Sequence, residues 1–125
     1  MTMTKKKILL VEDDTLISSM YKTKFMADGF EVVIASDGAI ALEMAKKEKP
    51  NIIMLDIILP QLDGFTVLEE LKKDQATKHI PVIMLTNLGT TEDKAKGEKF
   101  GAADYLVKAS LTPAQVSQKI KEHLE

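Results

Sequence analysis

A chain of 125 residues with a formal charge of -2 has the length of one domain and can bury a single sizeable core. Its lysines and acids are interspersed, which removes the electrostatic footprint of a nucleic-acid binder. The absence of cysteine excludes disulfide frameworks and thiolate metal sites and makes the cytoplasm the default expectation, and apolar runs such as Ile8 to Val11 fall far short of the roughly 18 residues that span a membrane.

The start, "MTMTKKK", is polar, and about residues 1–5 are expected to be disordered. "KILLVED", Lys7 to Asp13, reads as a buried strand that ends in acids. A helix follows from Thr15, taken as its N-cap, with Ile17, Met20, Tyr21 and Phe25 on one face and Gly29 as a stop. "FEVVIA", Phe30 to Ala35, is the second strand. Asp37 and Gly38 then turn the chain into a helix with a narrow stripe of Ala41, Leu42 and Ala45, which Pro50 ends. "NIIMLD" is the third strand, and Asp56 closes it before Pro60 and Gly64 interrupt the run. The third helix, with Asp63 as its cap, carries Phe65, Val67, Leu68 and Leu71. "PVIMLT", Pro81 to Thr86, is the fourth strand. The fourth helix, within "TTEDKAKGEKFG", is polar and contains Gly97, so it is expected to be weak and mobile. "DYLVK" is the fifth strand. Thr112, Pro113 and Gln115 then start a last helix through a capping box, with Val116, Ile120 and Leu124 facing inward.

Five strands alternating with five helices predict an α/β doubly wound fold: one parallel sheet, right-handed crossovers and helices on both faces. Sites in such folds lie at the carboxyl ends of the strands. The polar residues there are Glu12, Asp13, Asp14, Asp56, Thr86, Asn87 and Lys108. A buried charge such as Asp56 loses hydration unless something binds it. Gathered acids repel unless a cation joins them, and an all-oxygen set suits Mg²⁺, with Mn²⁺ an alternative. A lysine opposite the acids can balance their charge or, with a threonine hydroxyl, bind a phosphoryl dianion. One carboxylate set apart from the metal pair can itself be the nucleophile and form an acyl phosphate, and Asp56 is placed for it. Blander readings fit the rest: Asp14 as a helix cap, His79 and His123 as surface residues, and Met20, Met26, Met44, Met54 and Met84 as packing.

"LLVEDD", "MLDIILPQLDG", "IMLT" and "DYLVK", in this order, resemble the receiver domain of two-component response regulators, of the stand-alone, chemotaxis-regulator kind. The resemblance covers nearly the whole chain, 1–125, as a single domain. It implies a flavodoxin-like sheet in order 2-1-3-4-5, with helices one and five on one face and two, three and four on the other. It further implies that Asp56 accepts a phosphoryl group from a sensor kinase's phosphohistidine, and that Glu12, Asp13, Asp56 and the Ile58 backbone carbonyl hold Mg²⁺. Thr86 and Lys108 match the hydroxyl and lysine that contact the phosphoryl oxygens, and Tyr105 matches the switch aromatic. The implied partners are a histidine kinase or phosphotransfer protein and a downstream effector, without direct contact to nucleic acid or membrane, and the unphosphorylated chain is expected to be a monomer. Such a domain promotes its own phosphorylation and slow dephosphorylation without being an enzyme in its own right. Ile58 and Leu88, apolar and two residues past the acceptor and the threonine, are expected to slow that hydrolysis.

One position departs from the family pattern. A proline joined by a cis peptide usually follows the lysine, whereas Ala109 stands here. A cis bond before alanine costs about 3–4 kcal/mol, so a trans bond is expected. A metal-dependent phosphatase would want a second aspartate where Ile58 stands, a scaffold-only receiver would lack an acid or the lysine, and a flavin binder would present a glycine- and hydroxyl-rich loop in place of "VEDDT".

Overall fold

Five branched apolar runs form the strands: β1 (Lys7–Val11), β2 (Glu31–Ala35), β3 (Ile52–Leu55), β4 (Val82–Thr86) and β5 (Asp104–Val107). In the computed structural model, which describes residues 5–87 and 89–124, they lie parallel in the order β2-β1-β3-β4-β5, the order expected from the resemblance. The helices between and after them are α1 (Thr15–Ala27), α2 (Gly38–Glu48), α3 (Gly64–Lys73), α4 (Thr91–Lys99) and α5 (Pro113–Leu124). Residues 1–4, where fraying is expected, and Leu88 lie outside the described residues.

Every residue of β3 and β4 is buried, because helices cover both faces of the sheet and leave no side for polar alternation. On one face Leu9, Val11, Leu55 and Met84 pack with Ala41 and Ala45 of α2 and with Leu68 and Leu71 of α3. Phe100, which ends α4, joins that side, its ring 6.5 Å from the ring of Phe65. On the other face Ile8, Leu10, Met54 and Leu85 meet Tyr21 and Phe25 of α1 and Val116 and Ile120 of α5. Each fully buried side chain of this kind contributes about 1.5–3 kcal/mol.

Side chains close the helix ends. Asp37, Asp63 and Thr90 accept hydrogen bonds from first-turn amides, and Thr112 and Gln115 exchange the two bonds of a capping box. At α1 the cap is Asp14, whose Oδ1 accepts from the Leu16 and Ile17 amides, and not Thr15, which is the first helical residue. Met20 also departs from expectation: it is 45% exposed, while Ser18 is buried with Tyr21 and Phe25. Positions 18, 21 and 25 are spaced i, i+3, i+7 and share one helical stripe, on which Met20 does not lie. His79 is exposed as expected, but His123 is not a free surface residue, since its Nε2 lies 2.9 Å from Asp104 Oδ2 and ties α5 to β5. Among the described residues no peptide bond is cis; the chain leaves β5 through one 3-10 turn, Lys108–Ser110, with Lys108–Ala109 trans.

Candidate functional site

The sheet register decides which side chains meet. Val11 pairs with Leu55, Leu55 with Met84, and Thr86 with Val107, so neighbouring strands end at nearly one level. Glu12, Asp56 and Lys108 are each the first residue past a strand, and Thr86 is the last residue of β4. β1 ends two residues, and β3 and β5 one residue, short of their sequence-expected limits, which frees Glu12, Asp56 and Lys108 from the pleat, whereas β2 and β4 end where expected. Glu12, Asp13, Asp14, Asp56, Ile58, Thr86, Asn87 and Lys108 line one cleft of about 240 Å³, and Ile17 of α1, which sequence reasoning assigned only to the core, lines it with them.

At its floor the Lys108 ammonium lies 2.8 Å from Asp56 Oδ2 and also binds Glu12 Oε1. The side chains of Glu12, Lys108 and Asp56 are 4%, 9% and 12% exposed, so these contacts are largely shielded from water. Glu12 Oε2 further accepts the Asp14 amide at 3.2 Å, and the Ile58 amide points at Asp56 Oδ1 at 3.4 Å. Burial pushes the Glu12 carboxyl above its usual range, against the pull of Lys108. Burial draws the Lys108 ammonium down, but its hydrogen bonds to Asp56 and Glu12 together outweigh that and hold it above the ordinary lysine value. One ammonium thus serves two carboxylates.

Asp13 is exposed at the rim, and Thr86 is buried with 1% exposure in the wall. Tyr105 is not among the cleft residues. It lies on β5 against α4, where a Cβ on Gly97 would sit 3.4 Å from its ring, and burial raises its phenol, helped by the charges of Asp93 and Asp56. The segment after Asp56 is pressed close: Gly64 donates its amide to Ile57 O at 2.6 Å, and a Cβ on Gly64 would collide with the Asp56 carbonyl oxygen.

Carboxylates of Glu12, Asp13 and Asp56 with the Ile58 carbonyl make a hard, all-oxygen donor set, which fits Mg²⁺ in kind. Among the described residues no three carboxylate or histidine side chains stand close enough together to hold a metal as arranged, and Lys108 bridges Glu12 and Asp56.

Residues 8–121 match the response regulator receiver domain, nearly the whole chain. The chain belongs to that family. As a receiver domain it belongs to the signalling modules of two-component systems. It is 41% identical over 124 residues to a probable transcriptional regulator, ycf27, of Cyanophora paradoxa, covering 99% of this chain and 50% of that one. The receiver thus spans about half the length of that relative. Among solved structures it resembles a CheY-like receiver domain protein of Methanospirillum hungatei, with 32% identity, a TM-score of 0.89 and coverage of 97% and 94% of the two chains. It also resembles the BeF3-activated N-terminal receiver domain of Klebsiella pneumoniae RstA, with 30% identity, a TM-score of 0.89 and coverage of 96% and 99%.

Proposed function

We propose that residues 1–125 act as a single receiver domain in which Asp56 accepts a phosphoryl group from the phosphohistidine of a sensor kinase or phosphotransfer protein. The observation that carries this reading is the Asp56 carboxylate, 12% exposed, held 2.8 Å from the Lys108 ammonium beside buried Glu12 in a cleft that opens outward. In the transfer an Asp56 oxygen forms the new bond to phosphorus, the donor's P–N bond breaks, and the imidazole leaves with the electron pair. Lys108 stays charged and can follow the phosphoryl oxygens as charge moves from Asp56 onto them. The Thr86 hydroxyl, in the same wall, contacts those oxygens once the group is attached. Glu12, Asp13, Asp56 and the Ile58 carbonyl would hold Mg²⁺, with Mn²⁺ an alternative; the ion would supply the positive charge that lets a dianion approach three acids. That the RstA receiver is described as BeF3-activated supports a phosphoryl-type ligand for a domain of this shape.

The mouth of the cleft suits a protein donor. Ile58, which lines the cleft, is 65% exposed, an apolar edge that a docking partner can cover. Attachment of the group draws Thr86 inward and turns Tyr105 after it, which reshapes the α4-β5-α5 face for a downstream effector. Direct nucleic-acid and membrane contacts lie outside this reading, and none of the described helices is long and apolar enough to cross a membrane. Phosphoramidate offers a P–N bond like that of phosphohistidine. Incubation with it, followed by intact mass, is expected to show one phosphoryl group that depends on Mg²⁺; an unmodified chain under those conditions would contradict the proposal.

A further inference from the structure

The segment Ile57 to Asp63, which carries Ile58, is gripped from a second side by the first residue of α2. A Cβ on Gly38 would lie 2.5 Å from the Leu62 carbonyl oxygen, 2.7 Å from Leu62 Cβ and 2.8 Å from Val67 Cγ2. Side chains do not tolerate such contacts, so α2 can abut this segment only where it has none. The close approach has a bond in it: the Gly38 amide donates to Pro60 O at 3.3 Å, and the Leu62 amide donates to the same oxygen at 2.9 Å. Between those two residues Gln61 takes φ +72°, a left-handed conformation that this tight turn imposes. At the other end the Gly64 amide holds Ile57 O at 2.6 Å. Ile58 sits between the two grips with its own side chain 65% exposed, so its backbone is bounded by the flanking grips and by the 3.4 Å contact of its amide with Asp56 Oδ1 rather than by packing of that side chain.

We propose that Gly38 is a positioning residue for the Mg²⁺ site, setting the Ile58 carbonyl through the Pro60–Leu62 turn. The inference rests on the reading above that this carbonyl is a metal donor. Gly38→Ala must push the turn away from α2, and it is expected to weaken Mg²⁺ binding about ten- to a hundredfold, the range seen when groups that orient a metal ligand are lost. By reciprocity, Mg²⁺ is expected to steady the turn in the wild type and slow exchange of the Gly38 amide.

Mg²⁺ affinity is measured by titration calorimetry, and by Mn²⁺ paramagnetic resonance, on wild type, Gly38→Ala and Ile120→Ala. The last is a core change on the opposite face of the sheet, which lowers stability without touching the turn. Weakened binding in Gly38→Ala with unaltered binding in Ile120→Ala supports the proposal. Equal, wild-type-like affinities, or equal weakening in both variants, overturn it and leave the proposed function standing. Absence of Mg²⁺ binding in the wild type removes both. Should Gly38→Ala fail to fold, hydrogen exchange of the wild type decides: slowing of the Gly38 amide by Mg²⁺ supports the proposal, and an unchanged rate refutes it.

Discussion

Lys108 is the residue on which the site balances. It holds Asp56 and Glu12 against their mutual repulsion, so Lys108→Met leaves two shielded carboxylates without a cation. The expected loss is about 3–5 kcal/mol, the usual result of breaking a buried pair. Mg²⁺ should restore part of it, so that the rise in Tm on adding Mg²⁺ is larger in Lys108→Met than in wild type; equal rises would mean that ammonium and metal do not serve the same acids. The pH dependence has a definite sign. Lys108 titrates above the ordinary 10.5 in the folded protein, so its stabilisation is fully present below that value and is lost as pH rises through the raised one. Wild type and variant should therefore converge in strong alkali. Ile58 bears on persistence: it lines the mouth and offers water no hydrogen bond, so Ile58→Asn is expected to speed loss of the phosphoryl group several-fold, followed as decay of the acyl phosphate. Leu88, which the sequence pairs with it in that role, lies outside the described residues.

Among the elements, helix ends and α4 carry the testable consequences. Asp63 Oδ1 accepts the Thr66 amide at 3.1 Å and Oδ2 accepts the Thr66 hydroxyl at 3.0 Å, at the start of the helix that abuts the acceptor segment. Asp63→Ala should cost about 0.5–2 kcal/mol near neutral pH by denaturant unfolding. Although burial alone would raise the Asp63 carboxyl, the bonds from Thr66 lower it, so its contribution is present above the ordinary carboxylate range and fades as pH falls through the lowered value. A difference between the two proteins that grew in acid would contradict the cap assignment. The polar α4 meets α3 where the Lys96 ammonium stands 4.6 Å from the centre of the Phe65 ring, and meets β5 where Gly97 abuts Tyr105. Lys96→Ala should destabilise by about 0.5–1 kcal/mol and quicken amide exchange in α4 before other helices; unaltered exchange would mean that this contact does not anchor it.

At the scale of the molecule, two cores clamp one parallel sheet and leave its carboxyl edge as the place where distant segments meet. The local features were legible in the sequence because they are local: the branched runs, the Asp63 cap and the Thr112–Gln115 box each depend on residues a few positions apart. The sheet order became legible only through the resemblance of four motifs, since periodicity does not say which strands are neighbours. The contact of Lys108 with Glu12, 96 residues away, follows from that order once it is known. The bond between His123 and Asp104, the Lys96–Phe65 contact and the grip of Gly38 on the Pro60–Leu62 turn leave no local pattern, and only the packed structure reveals them. The central claim is that Asp56 is the acceptor. Borohydride reduces an aspartyl phosphate to homoserine, so tandem mass spectrometry of the protein treated with Mg²⁺ and phosphoramidate, then reduced and digested, locates the modified residue. Homoserine at position 56 alone, and none without Mg²⁺, is the expected result; an intact Asp56 beside homoserine at Asp13 or another carboxylate would contradict it.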